Sequence, residues 1–261
     1  MLGFVKRIIS RAALAFALTR SKLDHARTTP ENRNHWVQAD GLSADAWTTP
    51  EARSKVRNRS RHEVFHNSWA KGITLTLAND MCGRGPRLQM LLENEDLNDR
   101  VEEVFSGWMR ATGLARKVWQ MRLDRAVVGE GFGVLIQNKK IDHQVKIDVR
   151  LYEADQFATP EMPLKDNAID GIEFDESGNP KTYHLLKYHP GDTRVLGFTS
   201  EKEDIDAENV FHHFRADRTG QSRGLPDIYP SLGLFAELRR YSNAVIAAAE
   251  TAADHAGVVP R

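Results

Sequence analysis

Only one cysteine, Cys82, occurs in the 261 residues, so no disulfide can close within the chain, and the usage is that of a reducing compartment. Nothing in the sequence pairs that thiol with a base, which leaves a catalytic thiol without support. Net charge is missing too. With 36 basic residues against 36 acidic ones, no global field draws the chain to nucleic acid, and such a role has to come from local clusters or multiplied copies. No apolar run is long enough to span a membrane, and no internal repeat is present. What remains is a globular composition, 41% hydrophobic and 28% charged, long enough for one substantial core or two modest ones.

Residues 1–27 carry six basic residues and a single acidic one, Asp24, with Leu2, Val5, Ile9, Ala12 and Phe16 near one helical face. A targeting peptide looks similar, and "AALAFA" resembles a short secretory core, but it holds few large apolar residues. The favoured reading is a basic amphipathic arm that docks on a partner or an acidic surface. Residues 28–50 are polar and turn-rich, which makes 1–50 an arm and linker.

Thr49 and Pro50 form a helix start, predicting a helix from Glu51 to Ala78 that stops near "CGRG". Leu97, Val101, Val104, Phe105 and Trp108 keep helical spacing within "EDLNDRVEEVFSGWMRAT", and a third helix is expected over "LARKVWQMRLDRAVVGE". The period then changes to two. "GFGVLIQ" and "VKIDVRLYE" read as half-buried strands, with Val145, Ile147, Val149 and Leu151 on one face and Lys146, Asp148 and Arg150 on the other. Ser177-Gly178-Asn179-Pro180 is turn chemistry between two further strands, "NVFHHFR" is another strand, and the chain closes on a long helix. In that helix Leu234, Leu238, Tyr241, Val245, Ala248 and Ala252 step by four and three. The fold class is therefore α+β: helices first, a central antiparallel sheet built of hairpins, then a long C-terminal helix. The body spans 51–226 and the final helix 227–261.

Few residues announce chemistry. His62, Glu63 and His66 spell H-E-x-x-H, in which two histidines one turn apart bind zinc and the glutamate activates a water. A catalytic zinc needs a third protein ligand, and Trp69 and Gly72 stand where one protease family places glycine and histidine. Arg53, Lys55, Arg57, Arg59 and Arg61 also oppose a second cation nearby. Two histidines on a packed helix face explain the spelling, and no metal is expected; a zinc-dependent hydrolase on His62, Glu63 and His66 is the alternative. The glycines of "GEGFG" follow a helix and precede a strand, the reverse of a phosphate loop, so they make a tight connection. His212 and His213 are adjacent in a strand and point to opposite faces. The basic run could contact phosphates, but Arg53, Arg57 and Arg61 form one stripe and Lys55 and Arg59 the other, which a solvated or subunit-facing helix explains equally. A generic interaction module led by the N-terminal arm is a third reading.

Three stretches go further: "DGIEFDESGNPKTYHLLKYHPGD", "ENVFHHFRADRTGQSRGLPDIYPSL" and "LRRYSNAVIAAAETAADHAG". Together they resemble the portal protein of tailed phages, lambda type. The most specific part is R-x-G-Q-x-R-G-x-P, here Arg218, Gly220, Gln221, Arg223, Gly224 and Pro226. The hairpin with Asp170-Gly171-Ile172-Glu173 and its Gly178 turn, the strand ending in His213, "RSRHEVFHNSWAKGI" with Asn67, and "GEGF" fall in matching places. The resemblance implies a wing-and-stem fold and a structural role without catalysis or cofactor. Portals form a ring, a dodecamer when full length, through which double-stranded DNA is packaged and ejected at the capsid vertex of the virion. The ring is assembled in the host cytoplasm and meets terminase, capsid and head–tail connector proteins, with no membrane partner. The basic run is then the candidate DNA contact, and the arginine-glycine motif a structural or oligomer element. Members of that family are longer, so the resemblance implies the N-terminal half, with 227–261 leading toward a C-terminal half.

Overall fold

The computed structural model describes residues 29–30, 33–37, 39–158, 167–192 and 201–255. The basic arm over 1–27 lies outside them. The chain divides into two units, 1–42 and 43–261. In the first, the described residues form a short turn in which Arg33 N–H donates to the Thr29 carbonyl at 3.0 Å. The second holds all the helices and strands described.

Its elements are α1 (Ala44–Trp47), α2 (Pro50–His66), α3 (Ser68–Cys82), α4 (Glu95–Thr112), α5 (Leu114–Val128), β1 (Glu130–Gln137), β2 (Ile147–Tyr152), β3 (Ala168–Ile169), β4 (Ile172–Phe174), β5 (Pro180–Leu186), β6 (Lys202–Asp206), β7 (Val210–Phe214) and α6 (Leu232–Asp254). This is the expected α+β order. The strands form two antiparallel sheets, β2-β1-β7 and β3-β4-β5-β6. The main core lies where they meet: Phe132 from β1, Phe157, Ile172 from β4, and Tyr183 and Leu185 from β5. Phe132 stacks on Phe157 at 4.1 Å and on His212 at 4.2 Å between centroids.

The single helix expected over Glu51–Ala78 is two. Asn67 is extended, with φ −128° and ψ 115°, and its side-chain oxygen accepts from Trp69 N–H at 3.0 Å and Ala70 N–H at 3.4 Å. An asparagine that can satisfy the first donors of a new helix makes a break inexpensive in the middle of a helical pattern. The start is as the sequence indicated: Thr49 Oγ1 accepts from Ala52 N–H at 3.3 Å, with Pro50 at the first position.

Strand β2 departs from strict alternation. Ile147 is exposed and Asp148 buried, because Lys117 Nζ and Asn138 Nδ2 (3.1 Å) bind the Asp148 carboxylate on the inner side. A buried carboxylate with two partners is tolerated where an isolated one is not.

The β3–β4 connection is Asp170-Gly171, with φ +36° and +84°. Both central residues of a two-residue hairpin of this hand need positive φ, which the Asp-Gly pair accepts most readily. The helix α6 packs only its first turns on the body, through Leu232 and Phe235 against Val64, Ala70 and Ile228. From Tyr241 to Asp254 every residue is exposed.

Candidate functional site

The arginine-glycine motif folds as a loop between β7 and α6, and its side chains reach into the centre of the body. Gly220 takes φ +81°. Gln221 staples the loop to itself: its Oε1 accepts from Asp217 N–H at 2.9 Å and Arg218 N–H at 3.3 Å, and its Nε2 donates to the Arg223 carbonyl at 2.7 Å. Ser222 N–H and Oγ both bind the Asp45 carboxylate of α1 at 2.9 Å. Pro226 is fully buried.

Arg223 is the centre of this arrangement, at 0% exposure. Its Nε and Nη2 donate to the two oxygens of Glu130 at 2.7 and 2.8 Å. Nη1 donates to the carbonyls of Phe157 (3.0 Å) and Asp170, and Nη2 also to that of Ala154 at 3.3 Å. All five N–H groups of the guanidinium are thereby used. Glu130, at the start of β1, is equally occupied: it also accepts from Arg57, from Gly224 N–H at 2.8 Å, and from His212 Nε2 at 3.3 Å. Burial would push the Glu130 carboxyl up, but the Arg223 and Arg57 guanidiniums outweigh it and hold it well below the usual carboxylate range. Burial also lowers His212, so the ring is neutral, donating to Glu130 and accepting from the Tyr183 hydroxyl at 3.3 Å.

The basic run divides along its two stripes. Arg53 is buried against the Asp170 carboxylate and the Thr48 carbonyl, and Arg57 against Glu130 and, at 3.6 Å, Asp155. Arg61 binds Asp155 and, at 3.4 Å, Glu153. Lys55 and Arg59 are exposed. Three of the five cations therefore sit inside ion pairs of the body, and two face solvent.

The zinc spelling comes apart at its glutamate. Glu63 is buried and takes Arg239 Nη1 from α6 on both oxygens, at 2.8 and 2.7 Å. A carboxylate held that way is not free to activate a water. His62 and His66 remain exposed, stacked at 4.3 Å. His212 and His213 point to opposite faces, as adjacent strand residues must.

The described residues that could hold a metal as a set of three are Glu153, Asp155 and His189. Arg61 already lies on both carboxylates, and His189 Nδ1 accepts from Gly191 N–H at 2.9 Å, which places the ring proton on Nε2, facing the carboxylates. The two carboxylates are already the counter-ions of Arg61.

Nearby, burial pushes the Asp124 carboxyl up to about 6, against a hydrogen bond from Gln120 at 2.7 Å. A folded value above the unfolded one of about 3.9 means the folded state favours the protonated acid. That stabilising contribution is fully present below about pH 4 and lost as pH rises through about 6. Asp124→Asn is expected to match wild type near pH 4 and to exceed it at roughly pH 8 by on the order of 2–3 kcal/mol in urea denaturation. A difference that stays flat with pH would show that burial does not penalise this carboxylate.

Sequence reasoning singled out Arg223, the stretch at Asp170-Gly171 and "GEGF", but not that Glu130 and Asp170 are the partners of Arg223 or that Asp45 binds Ser222. A signal existed for Glu130, an acid between glycines at the head of an apolar strand. Residues 30–261 match the family model described as phage portal protein, lambda family. No curated protein matches the chain.

Proposed function

The chain belongs to the lambda family of phage portal proteins, and from that premise we propose which of its surfaces meet other copies and DNA. The role is that of a portal subunit, a structural protein of the DNA channel used for packaging and ejection, and not an enzyme. Family membership implies a ring at the capsid vertex that handles DNA and meets terminase and capsid proteins. A dodecamer that also receives a head–tail connector, assembled in the host cytoplasm before it joins the virion, is the finer form of this proposal.

One observation carries the proposal. The helix α6 carries an apolar stripe that nothing covers among the described residues: Leu234 and Tyr241 are each 68% exposed, Val245 48% and Leu238 42%. A stripe at helical spacing is the face of a helix that packs on something. In a ring of identical subunits that something is the neighbouring copy, through a heterologous contact that closes. The proposed division is an arm and linker over 1–50, whose α1 is fastened to the body through Asp45 and Ser222, a body over 51–226 held rigid by Arg218, Gly220, Gln221, Arg223, Gly224 and Pro226, and a segment over 227–261 that carries the ring helix α6. Lys55 and Arg59, the exposed stripe of α2, are the proposed phosphate contacts; Arg53, Arg57 and Arg61 support α2 from behind.

Native mass spectrometry tests the association. Wild type is expected as a ring-sized species, and Leu238→Asp with Val245→Asp as a folded monomer; a variant that still assembles would remove α6 from the interface. On the same particles, Lys55→Ala with Arg59→Ala is expected to flatten the salt dependence of DNA binding by roughly 1 unit of slope per lost phosphate contact. An unchanged slope would remove α2 from the DNA path.

A further inference from the structure

His62 and His66 have no part in the core, the ion-pair network or the proposed ring helix. We propose that they form a bidentate surface site for a borderline divalent cation of the zinc, nickel and copper class.

Four features of the structure carry this. The two residues stand one turn apart at the end of α2, so their side chains lie one above the other. Both rings are exposed and lie stacked with centroids 4.3 Å apart; because imidazole lone pairs lie in the ring planes, binding turns the His62 ring about its side-chain bonds until its nitrogen converges with His66 Nε2 on one ion. His66 Nδ1 lies 2.9 Å from the His62 carbonyl, which can only accept, so that nitrogen carries the proton and Nε2 keeps its lone pair outward. A backbone carbonyl behind the distal nitrogen is the arrangement that orients metal-binding histidines. Last, the local field is weaker than the sequence implies. Arg53, Arg57 and Arg61 are neutralised by Asp170, Glu130 and Asp155, and Arg239 by Glu63, so Lys55 and Arg59 are the unpaired cations on this helix.

Glu63 points away toward α6, so the protein supplies two ligands and water the remainder. Two imidazoles select borderline metals over magnesium or calcium, which prefer oxygen. The ion would clamp the last turn of α2 immediately before the break at Asn67. Because the pair is assembled only in the folded helix, metal raises folding stability by mass action.

The test uses the metal-stripped full chain, titrated separately with zinc, nickel and magnesium chlorides, with thermal melting and calorimetry as readouts. Zinc and nickel are expected to bind one per chain and raise the melting temperature; magnesium is expected to do neither. His62→Asn and His66→Asn should each weaken binding by at least about tenfold, the lower end of what losing even a supporting partner costs a metal site. His189→Asn, which breaks up the Glu153–Asp155–His189 cluster, should leave it unchanged. No heat with zinc, a response equal to that with magnesium, or binding that survives in His62→Asn with His66→Asn would overturn the proposal. So would binding lost in His189→Asn.

Discussion

Arg223→Ala is expected to cost about 3–5 kcal/mol of folding stability, the range seen when one partner of a buried pair is removed. The reason is what it leaves behind more than the contact it deletes. Glu130 has 0% side-chain exposure and would keep its charge with Arg57 and His212 as its remaining charged or ring partners. The carbonyls of Phe157 and Asp170 would lose donors in the same place. Arg223→Lys should not rescue the loss, because an ammonium cannot span both Glu130 oxygens and three carbonyls at once. Urea denaturation measures this directly. The deficit has a pH signature. A carboxyl held low stabilises the fold above its unfolded value of about 4.3, and that stability is lost as pH falls through the folded value. Without Arg223 the Glu130 carboxyl rises, so the gap to wild type should narrow as the solution is acidified. Arg223→Met with Glu130→Gln removes both charges and should lose less than the single variant. A single variant within about 1 kcal/mol of wild type would mean that this cluster does not hold the body together.

The elements were more legible than their partnerships. Helices α4 and α5 could be read almost to the residue, because Leu97 to Trp108 keep period and the left-handed Gly113 and Gly129 close the two helices. The stripes of the basic run were legible too, since four-residue spacing places Arg53, Arg57 and Arg61 together. Which stripe is buried was not. The answer depends on Asp170, 117 residues from Arg53, and on Glu130, 73 residues from Arg57, and spacing rules reach only the next turn of a helix. Strand β6 escaped because four of the five residues of "KEDID" are charged and only Ile205 packs on the core, as an edge strand can be when its neighbour β5 supplies the apolar face. The break at Asn67 escaped because a cap and a helix interior use the same residue, and tertiary packing decides between them. The stripe on α6 is the reverse case. Its period was plain, yet among the described residues nothing covers it, and period alone does not say whether a stripe packs inside its own chain.

Gly224→Ala should exceed the ~1–3 kcal/mol typical of an overpacked core, for a reason visible in three contacts. A methyl group there would lie on the Gly129 carbonyl oxygen, 2.8 Å from Phe214 Cβ and 2.9 Å from Glu130 Cγ. None of these is the loose end of a flexible chain. Gly129 is itself fixed, with φ +95° and its own open side turned onto the backbone of Leu225, 2.5 Å from where a Cβ would stand. Two main chains thus touch through paired glycines, and that approach is what lets Gly224 N–H and Arg223 both reach Glu130. Forcing them apart loosens the charge cluster as well as the loop, so the methyl group disturbs hydrogen bonds it does not touch. The same substitution at Gly72 makes the control. That residue lies inside α3 with nothing within 4 Å of a built Cβ, so Gly72→Ala should raise stability by about 0.5–1 kcal/mol through helix propensity alone. The pair is to be measured by denaturation side by side. Opposite signs are expected, and a tolerated Gly224→Ala would show that the loop can retreat from β1 without losing the fold.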